Sequence, residues 1–155
     1  MIKRIYMAVS CLKFQFSSVN GGGLGSPNAF VTTTGFSGSL LVGGGGSFDT
    51  EGMTDGNGKN SISLYFTGTL SFGPSAGVSA FSAGGPGFNV ENPDNYAGRS
   101  DGVNVSGAVL TGSVNYGGLN SKGQPKYTMP VGVQTPTELG VNRTWSKTWR
   151  IYTWD

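Results

Sequence analysis

Ser61-Ile-Ser-Leu-Tyr-Phe-Thr-Gly-Thr-Leu-Ser-Phe72 is the stretch on which the fold turns. Read every second residue, it separates into Ile62, Leu64, Phe66, Gly68, Leu70 and Phe72 on one side and Ser61, Ser63, Tyr65, Thr67, Thr69 and Ser71 on the other. Period-two alternation of this kind is a half-buried β-strand. The strand is expected to stop at Gly73-Pro74-Ser75, because proline brings no donor to a ladder.

Upstream, Phe36 to Phe48 repeats the alternation with glycine in place of bulk. The run Gly43 to Gly46 is no phosphate loop, since neither Gly-Lys-Ser/Thr nor a helical pattern follows it. In a strand it marks a bulge, a sharp bend or close backbone approach. Thr54 to Gly58 is rich in residues that accept positive φ and predicts a hairpin between the two strands.

The remaining chain reads the same way. Ala76 to Ser82 is a short strand, and Val103 to Tyr116 a longer one whose phase slips near Val109, as at a bulge. Tyr127 to Val133, with Pro125 before it and Pro130 within it, reads as an edge strand, and Leu139 to Trp154 as the last strand. Gly84 to Gly102 is the longest irregular stretch and the natural place for binding. Met1 to Cys11 imitates a lipoprotein signal, but its apolar stretch is short and Lys13 follows closely, so it reads as a first strand with Cys11 as a small core residue. Residues 1–155 are expected to form one all-β domain of about seven strands, an antiparallel meander closed as a barrel or folded as a two-sheet sandwich.

The composition narrows the chemistry. Among 155 residues there is no histidine, one cysteine and 28 glycines. The usual general base and the commonest metal ligand are therefore missing, as is any intramolecular disulfide. Nucleophilic catalysis would need a Lys, Asp or Glu base. Glu51, Glu91 and Glu138 fall in predicted turns, as solvated acids, so no enzyme, cofactor or metal is expected. Asp55 and Asn57 fail the calcium-loop pattern at Lys59, Asn60 and Phe66, leaving only a looser arrangement of Asp49, Glu51 and Asp55. Charged residues make up only 12%, and the net charge of +2 does not call for nucleic acid. Acids gather in the middle of the chain and bases at its ends, a pattern of charged strand edges or, less simply, of a basic patch for phosphate or anionic lipid.

The last strand holds all three tryptophans. Alternation places Trp145 and Trp149 on one face with Lys147, and Tyr152 and Trp154 on the other, with Arg143, Lys147 and Arg150 interleaved. Trp145, Trp149, Arg150, Tyr152 and Trp154 are the candidate ligand-binding residues, with a glycan as the ligand that stacks on such faces. Asn104-Val-Ser106 and Asn142-Arg-Thr144 match the glycosylation sequon.

Gly35-Phe-Ser-Gly-Ser-Leu-Leu-Val-Gly-Gly-Gly-Gly-Ser-Phe48, Gly73-Pro-Ser-Ala-Gly-Val-Ser-Ala80 and Asn95-Tyr-Ala-Gly-Arg-Ser-Asp-Gly-Val-Asn-Val-Ser-Gly107 carry a resemblance. Over residues 35 to 118 the chain resembles the glycine-rich C-terminal β-domains of bacterial polymorphic toxins of the rearrangement-hotspot type. The resemblance implies a secreted bacterial module of a toxin or cell-contact system. It rests on turn texture, lacks the Asp-Pro-x-Gly element of those toxins, and transfers no functional residue.

Three readings follow. The leading expectation is a non-enzymatic, secreted or cell-surface interaction or structural module that pairs with itself or a protein partner through strand edges. The second is a small transmembrane barrel of a bacterial outer membrane, since Ile62 to Phe72 is long enough to cross a bilayer and its Ser/Thr/Tyr face suits a lumen. The third is a carbohydrate-binding domain using the C-terminal tryptophans.

Overall fold

The computed structural model describes residues 27–54, 58–135 and 138–154. Seven strands and one short 3-10 turn follow one another: β1 (Pro27–Thr54), β2 (Asn60–Phe88), the turn Pro93–Asn95, β3 (Gly98–Gly107), β4 (Leu110–Leu119), β5 (Pro125–Thr128), β6 (Val131–Gln134) and β7 (Leu139–Trp154). The expected first strand at Met1–Cys11 and the expected turn residues Asp55 to Asn57 lie outside the described residues.

Every pairing is antiparallel, and the ladder closes on itself. β2 pairs with β7, β7 with β3, and β3 with β4; β4 pairs with both β5 and β6, which pair back to β2. The fold is an all-β barrel, the closed form of the two expected architectures. Closure removes the edges within this ring, whereas β1 pairs with β2 alone and stands outside it.

Several boundaries differ from the sequence reading, each for a local reason. β2 does not stop at Gly73-Pro74-Ser75 but runs on to Phe88. Proline is accommodated because neither Gly73 nor Pro74 is matched to a β1 residue: the β1–β2 register passes from Val42↔Phe72 to Leu40↔Ala76. The phase slip near Val109 is the turn of a β3–β4 hairpin, with Gly107 opposite Leu110 and Ala108 at φ 51°. The expected edge strand is two short strands, β5 and β6, each held between β2 and β4. The long irregular stretch shrinks to residues 89–97, since β2 extends to Phe88 and β3 begins at Gly98.

The glycine run of β1 serves close approach. β1 bends at Leu41 (φ 65°), where its register with β2 shifts, and its two halves come together. A Cβ added at Gly45 would overlap the Phe36 carbonyl oxygen, and one at Gly35 would overlap that of Gly46. Larger residues would hold these backbones apart.

The direction of burial is the main departure. Fully buried positions are mostly Ser, Thr, Asn, Gln, Asp and Glu, while the buried hydrophobic residues among those described are Ala29, Val31, Met53, Tyr65 and Val90, of which Ala29, Met53 and Val90 cluster. In β2 the face that is buried is Ser63, Tyr65, Thr67, Ser75 and Ser79. Phe66, Leu70, Phe72 and Val78 face out. The ribbon is half-buried as its alternation requires, with the polar half inside.

Candidate functional site

Three sets of side chains are candidates: the interior, the rim at the C-terminal end of β7, and the outer face.

Cross-strand hydroxyl pairs fill the interior. Ser63 with Thr153, Thr67 with Thr148, and Thr69 with Ser146 each stand opposite one another on β2 and β7, with oxygens 2.8 Å apart. Two buried acids anchor this network. The Glu138 carboxylate, 1% exposed, accepts hydrogen bonds from Ser37 (2.5 Å), Ser79 (2.8 Å) and Ser39 (3.3 Å). Asp49, 2% exposed, accepts from Ser47 at 2.8 Å, from Thr67, and from the Tyr96 hydroxyl at 3.3 Å. Around these acids a cavity of about 160 Å³ is lined by β-strand hydroxyls, Asp49 and Glu138. Satisfied hydrogen bonds make such burial tolerable.

Glu51 is a third interior acid, fully buried, with Oε2 accepting from the Tyr65 hydroxyl at 2.8 Å and Oε1 without a hydrogen-bond partner among the described residues. Expected turn acids Glu51 and Glu138 are thus inside the barrel. They are not brought together: Glu138 lines the central cavity, whereas Glu51 sits beneath Tyr65. Glu91 is at the surface, where its carboxylate accepts from the Ser121 amide (3.1 Å) and hydroxyl (2.5 Å). Asp49 and Glu51 share the inner face of β1, but Asp55 lies outside the described residues. No group of three metal-ligating side chains occurs among the described residues.

The segment 89–97 closes one end. The Tyr65 hydroxyl also lies 2.7 Å from the Pro93 carbonyl oxygen, and the Tyr65 and Tyr96 rings pack with centroids 4.7 Å apart. Burial, with Asp49 and Glu51 nearby, pushes the Tyr96 hydroxyl above its ordinary range, so it remains a donor to Asp49. Arg150 pairs with Asp94 at 2.9 Å across the same rim.

The outer face holds the expected binding aromatics, in a different arrangement. Leu64 stands opposite Tyr152 and Tyr65 opposite Arg150, so Ile151 is an extra residue in β7. That bulge reverses the phase. Tyr152 and Trp154 therefore lie on the same outer face as Trp145 and Trp149, and Arg150 turns toward the rim. The four rings are 56%, 44%, 42% and 46% exposed. The second sequon asparagine, Asn142, is buried inside, where its Oδ1 accepts from Ser75 at 2.6 Å.

Around the barrel, outward cross-strand neighbours are apolar. Val103 faces Val114, Val105 faces Val141, and Leu110 faces Val133. Next to this belt runs an aromatic row in which Trp145 neighbours Asp101, Asp101 neighbours Tyr116, Tyr116 neighbours Tyr127, and Tyr127 stacks on Phe88 at 4.8 Å.

No family, curated protein or solved structure matches this chain.

The sequence reading missed the acid seat at Glu138, the inserted Tyr96 and the outer neighbour Arg99. Asp49 and Glu51 carried a usable signal: they share the phase of Ser47, opposite to Phe48.

Proposed function

We propose that this chain is a small β-barrel that resides in a lipid bilayer, of the type found in bacterial outer membranes. One observation carries the reading: the interior is polar and hydrogen-bonded, and the apolar side chains form a skin on all sides of the barrel. Water-soluble monomers seldom expose contiguous apolar surface of more than a few hundred Å². Lipid-facing barrels have this inverted distribution, with an apolar band flanked by aromatic rings. Val103, Val105, Val114, Val131, Val133 and Val141 supply the band, and the row from Trp145 to Phe88 supplies the rings. All-round coverage also favours lipid over the self-associating module, because a partner protein covers one side. The glycan reading loses its separate surface, since its aromatics belong to this skin.

Hydrogen-bonded hydroxyls and the buried acids occupy the interior and the segment 89–97 closes one end, so the barrel acts as an anchor or scaffold and not as an open channel. The test is extraction and reconstitution. The purified protein is expected to need detergent, to float with phospholipid vesicles, and to migrate differently on gels before and after heating. A monodisperse protein in plain buffer that fails to float would overturn the proposal.

A further inference from the structure

Along the outer face of β7 two cations alternate with two tryptophans: Arg143, Trp145, Lys147, Trp149. The Arg143 guanidinium carbon lies 5.2 Å from the Trp145 ring centroid, and the Lys147 ammonium 5.2 Å from that of Trp149. Each cation lies against the tryptophan two positions further on. Both side chains therefore lean the same way, toward the rim closed by residues 89–97. On the adjacent strand, Arg99 stands directly opposite Lys147.

Like charges opposite one another on one sheet face repel. Cations among lipid-facing residues are costly as well, and least so where they reach the headgroup level. Among the described residues no acid makes an ion pair with Arg99, Arg143 or Lys147; the pair formed on this strand is Arg150 with Asp94, at the rim. Asp101, beside Trp145, leaves a surplus of two positive charges over these four residues, three bases less one acid. Arg99, Asp101, Tyr116, Trp145, Lys147 and Trp149 border one groove.

We propose that this groove binds the phosphate-bearing headgroup of an anionic lipid. The inference rests on the bilayer reading above. Arg99 offers the forked donors that match phosphate oxygens, and Lys147 adds a point charge. Trp145, Trp149 and Tyr116 sit where indole and phenol rings favour the headgroup level. Leu70 stands level with Trp145, and Phe72 and Val103 stand two residues further from the rim, on either side of Arg143; their exposed apolar surface is where an acyl chain would lie. An anion between Arg99 and Lys147 turns a repulsive pair into a clamp.

The experiment uses the protein reconstituted in phosphatidylcholine vesicles with Trp154→Phe, so that Trp145 and Trp149 report. Brominated phosphatidylglycerol or brominated phosphatidylcholine is added at equal mole fraction as a contact quencher of tryptophan fluorescence. The anionic lipid is expected to associate about fivefold more strongly. That preference should vanish in the Arg99→Gln/Lys147→Gln double variant, with quenching by brominated phosphatidylcholine unchanged. Equal quenching by the two lipids, or a preference that survives the double variant, overturns the headgroup site and leaves the barrel reading intact. Quenching by neither lipid overturns both.

Discussion

The inner and outer sides of the β2–β7 ladder share one backbone register yet are stabilised by different means. Inside, Thr67 meets Thr148 and Thr69 meets Ser146 through hydroxyl pairs 2.8 Å apart. Outside, one step along the same strands, Phe66 stacks against Trp149 with centroids 6.0 Å apart, and Leu70 stands opposite Trp145. The inner pairs depend on every donor finding an acceptor in a dry space. The outer pairs depend on what surrounds the barrel, because water gives those side chains nothing to bury against. The two faces should therefore fail differently when mutated.

The largest expected effect tests the outer face. Val131→Arg places a charge among outward neighbours Gly84 and Gly112, on the apolar belt. In vesicles it should cost about 3 kcal/mol, the value for arginine at the middle of a lipid-facing strand. An exposed valine in water would tolerate the same change within about 0.5 kcal/mol. Urea unfolding of the reconstituted protein decides between these values, and a negligible change removes the contrast on which the outer face has been read.

Next comes the inner face. Glu138→Leu deprives Ser37, Ser79 and Ser39 of their shared acceptor and should cost about 2 kcal/mol in the same assay. Glu138→Gln keeps one acceptor oxygen and should cost less. If leucine proved neutral, the interior would tolerate apolar filling, and the two faces would differ less than the geometry requires.

A smaller effect is expected at the rim, where neither rule holds fully. Arg150 and Asp94 are 39% and 71% exposed in their side chains, so their ion pair is screened by solvent. Arg150→Ala should cost about 0.5 kcal/mol. Hydrogen exchange should rise in residues 89–97 and not along β2. Faster exchange spread through the barrel would mean that the rim pair supports the whole wall.

The sequence reveals the ribbon, not which side of it is wet. Alternation at Ile62 to Phe72 specifies a strand with unlike faces, and that pattern is the same for a soluble sheet and for one turned inside out. A clue lay in composition, because a charge content of 12% is about half the globular average and supplies few charged side chains for the outer face. Pairing details were hidden for a different reason. The extra residue Ile151 and the Gly107–Leu110 hairpin are set by neighbouring strands, and each shifts the phase that counting assumes. Counting alternation alone therefore assigns Tyr152 and Trp154 to the face away from Trp145 and Trp149. The strand's passage through Pro74 was hidden likewise, since it depends on β1 skipping that position. Bringing Arg99 beside Lys147 takes the β3–β7 pairing, which joins residues far apart in the chain.

The smallest effect belongs to Glu91, which sits outside both faces and so isolates the loops from the barrel. Two hydrogen bonds from Ser121, the hydroxyl first and the amide second, hold its carboxyl below the usual carboxylate value, and nearby Lys122 and Lys126 act in the same direction. A lowered folded-state value means that the tie is fully present above the ordinary carboxylate range and is lost as pH falls through the folded value. The Ser121 amide should thus keep its protection from exchange at neutral pH and lose it in acid, at a lower pH than an unperturbed glutamate would allow. Glu91→Gln should flatten that dependence. Because Glu91 is solvent-exposed, the barrel's own unfolding should hardly move over the same range. If it moved in step with Ser121, the loops and the wall would be one cooperative unit, and the division between faces and rim would have to be redrawn.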